Sequence, residues 1–165
     1  MAQSLPTIEQ ITALPHVGTF TVTEDHLDIM GHMNVRHYLS FFDDAGWELF
    51  NHIGLTADYY RANKTGGFAL QQIINYIAEV RLGETVHIHA RILGRTEKRI
   101  HNMLFMVNIN TGKLAATIEE MGAHADLTIR RTAPYPPHIA EKIDALLTVH
   151  QKLAWDAPLS GVMHT

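Results

Sequence analysis

One change of period constrains this chain more than anything else in its sequence. Tyr38, Phe41, Phe42, Ala45, Leu49 and Ile53 recur at helical spacing, and Arg36, Ser40, Asp44, Glu48 and Asn51 form a separate polar stripe. The apolar face is wide, so this helix must be buried over much of its circumference. From Phe68 onward the period is two. Ile74, Tyr76, Ala78 and Val80 alternate with Asn75, Glu79 and Arg81, and "VHIHARI" (Val86 to Ile92) alternates without exception. Met103, Phe105, Val107 and Ile109 continue the pattern, "NTG" (Asn110 to Gly112) signals a hairpin, and a last strand region runs from Lys113 to about Arg130. A β-prone run, "GTFTV" (Gly18 to Val22), precedes the helix. A helix with so wide an apolar face, followed by four strands each next to its neighbour in sequence, is best buried by a curved antiparallel sheet wrapped around it. The fold class expected is therefore α+β.

After Pro134, Pro136 and Pro137, the residues Ile139, Ile143, Leu146, Leu147 and Leu153 describe a C-terminal amphipathic helix, and the tail beyond Trp155 reads as loose. The expectation is one domain over residues 1–165, with a core over 18–132 and the C-terminal helix and tail over 134–165. In the last strand region the apolar residues change phase. Leu114, Ala116 and Ile118 are even positions, whereas Met121, Ala123, Ala125, Leu127 and Ile129 are odd. A strand changes its buried face only through an extra residue, so a β-bulge is expected between Ile118 and Gly122, at Glu119 and Glu120. A lone curved sheet has open edges, which are usually paired or covered, and a dimer is expected on that ground.

The composition excludes several chemistries. There is no cysteine, which removes disulfides, thiolate catalysis and cysteine-based zinc sites. The net charge of −4 gives no sign of nucleic-acid binding. The opening residues lack the basic start and apolar run of a secretory signal, and no stretch approaches the roughly 18 apolar residues of a membrane span. A cytoplasmic protein with no membrane or nucleic-acid partner is expected. Twelve histidines are scattered through the chain without an HExxH motif, and no metal is expected.

The stretch that calls for explanation is "DIMGHMNVRHY", Asp28 to Tyr38. Three readings are open. In the first it is structural: Asp28 and Gly31 make a turn, and Asn34 caps the helix that starts at Val35 or Arg36. In the second it binds metal, although His32 and His37 are five apart, a poor spacing for one helix face, while His87 and His89 share a strand face. In the third it is catalytic. The free N–H groups after Asn34 favour negative charge and suit the developing oxyanion of a polarised carbonyl, with Asp28 attacking that carbonyl or activating a water. No GxSxG elbow is present, which leaves a carboxylate beside a helix start as the best hydrolytic arrangement in the sequence.

The same residues resemble a known family. Asp28, Gly31, His32, Met33 and Asn34, followed by Tyr38 and Ala45, are similar to the motif of hotdog-fold acyl-CoA thioesterases of the 4-hydroxybenzoyl-CoA thioesterase type. The resemblance covers about residues 18–132 and includes "INYIAEVRLGETVHI" and "AATIEEMGAHADLTIRRTAPYP". It implies a hotdog fold, a curved antiparallel sheet around a central helix. It also implies hydrolysis of an acyl-CoA, with Asp28 as the catalytic carboxylate, Gly31 as the turn glycine, and Asn34 and Val35 as the helix start that polarises the carbonyl. Tyr38 matches the motif's tyrosine, a packing residue, and His32 is read as pocket lining. The departures are His26, where the family often has a second acid, and the helix start "NVRH". Family sites lie at a subunit interface, which implies a homodimer or a dimer of dimers. Coenzyme A belongs to the substrate, so no separate cofactor is implied. Arg95, Lys98 and Arg99 are the candidates for its phosphates. The last strand is most similar to the branch that includes betainyl-CoA thioesterases. A quaternary ammonium needs an aromatic or acidic pocket, for which Trp47, Asp43 and Glu48 are the candidates. Related hotdog hydratases and non-catalytic acyl-CoA binders are the alternatives.

Overall fold

The computed structural model describes residues 5–163. In chain order the elements are α1 (Ile8–Thr12), β1 (His16–Thr21), α2 (Val35–His52), α3 (Ala57–Asn63), β2 (Thr65–Tyr76), β3 (Thr85–Arg95), β4 (Arg99–Asn108), β5 (Lys113–Asp126), β6 (Arg131–Thr132) and α4 (Pro137–Gln151). One antiparallel sheet has the strand order β1-β3-β4-β5-β2, with β6 paired to β5. Contrary to the order expected from the sequence, β2 does not lie next to β3: β1 takes that place and β2 pairs with β5. β1 and β2 are its edges. Tyr38, Phe41, Phe42, Ala45 and Leu49 of α2 pack on Val86, Ile88, Ala90 and Ile92 of β3 and on Ile100, Leu104 and Met106 of β4. The helix is thus the core that the sheet curves around, as its wide apolar face requires.

The face of the sheet turned away from α2 is covered as well, and this corrects three expectations. Ile11 and Leu14 at one end of the chain and Ala157 at the other form a second apolar cluster with Met103, Phe105, Val107 and Leu114. The odd residues of β4 therefore face away from the helix, and the even residues Ile100, Leu104 and Met106 face it. The tail beyond Trp155 is not loose. Ala157 and Met163 are buried, and the Ser160 N–H donates to Glu119 at 2.6 Å. The expected bulge at Glu119 and Glu120 is absent: β5 pairs with β4 without a break from Gly122 opposite Ile100 to Ile118 opposite Leu104. Met121, Ala123 and Ala125 are buried because both faces of β5 are covered, so the apolar pattern changes phase without any change of face. The register shifts that touch β5 are at its own Ala115, against β4, and at Leu70 of β2, which is the extra residue opposite the Met121–Gly122 step.

α1 was not anticipated. Thr7 accepts the Gln10 N–H, and the Gln10 side chain accepts the Thr7 N–H at 2.8 Å, so a five-residue helix is closed by its capping box. At the other end of the chain, α4 packs on β3. The Arg91 guanidinium lies 4.3 Å over the Trp155 ring and donates to the carbonyls of Trp155 and His150. No helix among the described residues is long and apolar enough to cross a membrane.

His150 makes this docking sensitive to pH. Its Nδ1 accepts the Ile92 N–H at 2.9 Å, and burial, aided by the Arg91 cation, lowers its pKa from 6.5 to about 4. The folded protein therefore keeps His150 neutral where the unfolded chain protonates it. Stability is whole above pH 6.5 and falls as pH drops from there towards 4. The loss is on the order of 1–2 kcal/mol once solvent screening is discounted. A His150→Asn variant lacks this titration, so its Tm gap to the parent should narrow between about pH 7 and pH 5. A gap independent of pH contradicts the assignment.

Candidate active site

The loop before α2 folds back on itself. Leu27 pairs with Met33, the Asp28 N–H donates to the His32 carbonyl at 3.0 Å, and the Asn34 N–H donates to the His26 carbonyl at 2.9 Å. Asp28 thereby sits opposite His32 at the tip of a loop whose other arm enters the helix. Its Oδ1 accepts the Met30 N–H at 2.8 Å, and its Oδ2 lies 3.5 Å from His32 Nδ1. Met33, buried, ties this loop to the sheet side through its N–H to the Val80 carbonyl at 2.8 Å. Gly31 makes the turn at φ +84°, a conformation that costs other residues energy. A Cβ there meets nothing within 4 Å, so Gly31→Ala carries the backbone penalty alone. The expected cost is about 1–2 kcal/mol, a Tm drop of roughly 2–8 °C. A thermal melt checks this, and an unchanged Tm contradicts it.

Asn34 caps α2, and its side chain accepts the Arg36 N–H at 3.2 Å. The His37 N–H is taken by the Asn34 carbonyl at 3.0 Å. That leaves Val35 N–H as the first-turn donor with no protein acceptor among the described residues. A carboxylate and a free helix-start donor thus stand on the same short loop, the arrangement that polarises a carbonyl and supplies a base or nucleophile to it. The structural reading of this stretch holds: one Asp28 oxygen and the Asn34 side chain hold the turn and the cap, and the other Asp28 oxygen faces His32. Tyr38 is buried, with its hydroxyl 3.5 Å from the Ala78 carbonyl and its ring edge-on to Tyr76. It packs behind the loop.

Residues 22–143 match the profile of the thioesterase-like superfamily. The chain belongs to that superfamily. The protein named betainyl-CoA thioesterase from Pseudomonas aeruginosa is 30% identical over 132 residues, covering 80% of this chain and 83% of its own length. The L-carnitine dehydrogenase/betainyl-CoA thioesterase of Agrobacterium fabrum is 35% identical over 120 residues, 73% of this chain, and the chain spans 24% of that relative's length. A Staphylococcus aureus protein solved in complex with CoA superposes with a TM-score of 0.81 at 23% identity, over 92% of this chain and 96% of the other. The hotdog fold of the superfamily's solved structures is the fold found here.

Against that superfamily background, the remaining candidates fall in two places. Arg95, Lys98 and Arg99 lie at the β3–β4 turn. The Arg95 guanidinium donates to both Asp144 oxygens of α4, at 2.6 and 2.5 Å, so the fork a phosphate would use is already occupied. Lys98 and Arg99 have no carboxylate partner among the described residues. Asp43 and Trp47 line a cavity of about 140 Å³ between α2 and the sheet. Glu48 does not; it bonds Asn51 and lies beside His52 on the exposed side of the helix.

The cavity also contains a group that the sequence reading missed. Glu120 of β5 accepts Gln72 Nε2 from β2 at 2.6 Å and Asn102 Nδ2 from β4 at 2.9 Å. Burial pushes its carboxyl above the usual range, the two amide donors oppose that shift, and the negative Asp43 adds to it. Burial likewise raises the Tyr60 phenol to about 12, so it stays neutral. Asn102 and Glu120 interrupt the helix-facing rows Ile100–Leu104 and Ile118–Gly122 with polar side chains. That was the available signal, and the expectation of a bulge obscured it. His87 and His89 sit beside His16, with ring centroids 4.9 and 5.4 Å apart, but among the described residues no three side chains form a metal-holding group.

Proposed function

We propose that the chain hydrolyses an acyl-CoA thioester to free CoA and a carboxylic acid. The observation that carries this reading is the short folded-back loop that bears Asp28 at its tip and leads directly into the free Val35 N–H. The thioester carbonyl accepts from Val35 N–H, which stabilises the negative charge that develops on its oxygen. Asp28 either takes a proton from the attacking water or attacks the carbonyl itself. In the second course a mixed anhydride forms, CoA leaves as thiolate, and water then cleaves the anhydride. His32, 3.5 Å from Asp28, orients the carboxylate. Lys98 and Arg99 are the groups proposed for the CoA phosphates. The superfamily and the names of the relatives support this reaction, and betainyl-CoA is the first ester to test.

The acyl group is placed in the cavity beside α2. Val35 and Asp43 are eight residues apart on that helix, about 12 Å along its axis. A compact acyl group does not span that distance within one chain. It reaches the cavity if the carbonyl is held at the helix start of a second copy, so a homodimer, alone or paired again, completes the site. The exposure of Ile29, Met30 and Val35 around the catalytic loop supports such an interface. The test is a thiol-release screen over short, aromatic, long-chain and betainyl CoA esters. Release of free CoA is expected for at least one class. Binding without release identifies an acyl-CoA-binding module instead, and hydration of an enoyl-CoA identifies a hydratase.

A further inference from the structure

The cavity beside α2 has two carboxylates in its wall, Asp43 and Glu120, and no lysine or arginine. Glu120 is fixed from two sides: Gln72 donates to one of its oxygens and Asn102 to the other. Both donors are neutral amides, so they satisfy the oxygens and leave the charge uncompensated. A negative charge withdrawn from water without a counter-charge is costly, yet three strands cooperate to hold this one in place. Trp47, Tyr60 and Tyr135 line the same space, and aromatic faces attract cations. The fourth feature is His124. It is buried, lines the cavity, and its Nδ1 lies 3.1 Å from the Ala133 carbonyl, which fixes Nδ1 as the donor. Its Nε2 has no hydrogen-bond partner among the described residues. Carboxylates and aromatic rings converge on a space whose wall has no lysine or arginine.

We propose that Glu120, clamped by Gln72 and Asn102, is the residue that selects acyl groups bearing a positive charge, an ammonium or quaternary ammonium. Asp43 adds a second, more exposed negative charge from α2. The inference rests on the thioester hydrolysis proposed above and adds to it the residue that reads the acyl group. The trimethylammonium end of such an ester sits against the rings, with Glu120 as its counter-charge.

A matched pair of esters tests this. Trimethylammonioacetyl-CoA and 3,3-dimethylbutyryl-CoA have the same shape and differ in one charged atom. The wild type should favour the cationic ester in kcat/KM by roughly tenfold or more, and Glu120→Gln should collapse that ratio by a similar factor. Asp43→Asn, at an exposed helix position, should lower the ratio in the same direction and serves if Glu120→Gln does not fold. Titration of Trp47 fluorescence with tetramethylammonium chloride, against sodium chloride, reads the cation site without turnover. A saturable change that Glu120→Gln weakens supports the inference even in a protein that hydrolyses neither ester. Equal rates on the two esters overturn it while leaving the hydrolysis intact. So does an equal loss on both in Glu120→Gln. If neither ester is cleaved, a fluorescence signal unmoved by the cation overturns it.

Discussion

Asp28→Asn lowers kcat at least roughly a hundredfold, the usual scale for losing an acid–base or nucleophilic group, and leaves the fold standing. The asymmetry follows from how the two oxygens are used. Oδ1 accepts the Met30 N–H and holds the turn, a task the amide oxygen of asparagine also performs. Oδ2 faces His32 and is the oxygen free to act on water or on the carbonyl. The substitution replaces that oxygen with an amide NH₂, which can neither accept a proton nor attack. Stability should therefore change by about 0.5 kcal/mol or less, while turnover collapses. Binding relies on the helix start, the cavity and the CoA contacts, so KM should move far less than kcat. Circular dichroism and a thermal melt run beside the kinetics separate the two effects. A parallel fall in Tm and activity would mean that Asp28 is only a turn residue.

The second large effect lies on the opposite face of the sheet. Glu119 of β5 is 1% exposed; it bonds His101 Nε2 at 2.9 Å and accepts the Ser160 N–H at 2.6 Å. Glu119→Ala removes the partner of a buried imidazole and of a backbone donor in one step. Breaking a buried pair from one side typically costs about 3–5 kcal/mol, a large share of a stability that is commonly about 5–15 kcal/mol. For a chain of this length that is a Tm drop of roughly 6–20 °C. Hydrogen exchange at Ser160 should rise as the tail leaves the sheet. Glu119→Gln keeps an acceptor oxygen and should lose less. A Tm within about 2 °C of the parent would show that the pair contributes little to stability.

The architecture was legible because its main signals are local. The spacing of Phe41, Phe42, Ala45 and Leu49 dictated a buried helix, and "VHIHARI" placed Val86, Ile88, Ala90 and Ile92 on the face that meets it. β4 and β5 were misread because alternation reports one buried face, and here both are covered. Their covers, Ile11, Leu14 and Ala157, come from the two ends of the chain, contacts that no local window reveals. α1 had a readable sign in "TIEQ", a capping box from Thr7 to Gln10. At the candidate site, Asp28, Gly31, Asn34 and Val35 lie within eight residues, so one short loop carries them all. The Glu120 clamp joins three strands and exists only once the sheet has formed. Sequence alone showed a pair of glutamates, which the fold divides: Glu119 anchors the tail and Glu120 faces the cavity.

The most direct test follows CoA thiol release from betainyl-CoA with a thiol-reactive chromophore. The chain has no cysteine, so the signal comes from CoA alone. Steady release by the wild type, falling to about 1% or less in Asp28→Asn at equal folded concentration, is the expected result. Full-rate release by Asp28→Asn, or stable binding of the ester by the wild type with no thiol released, contradicts the account.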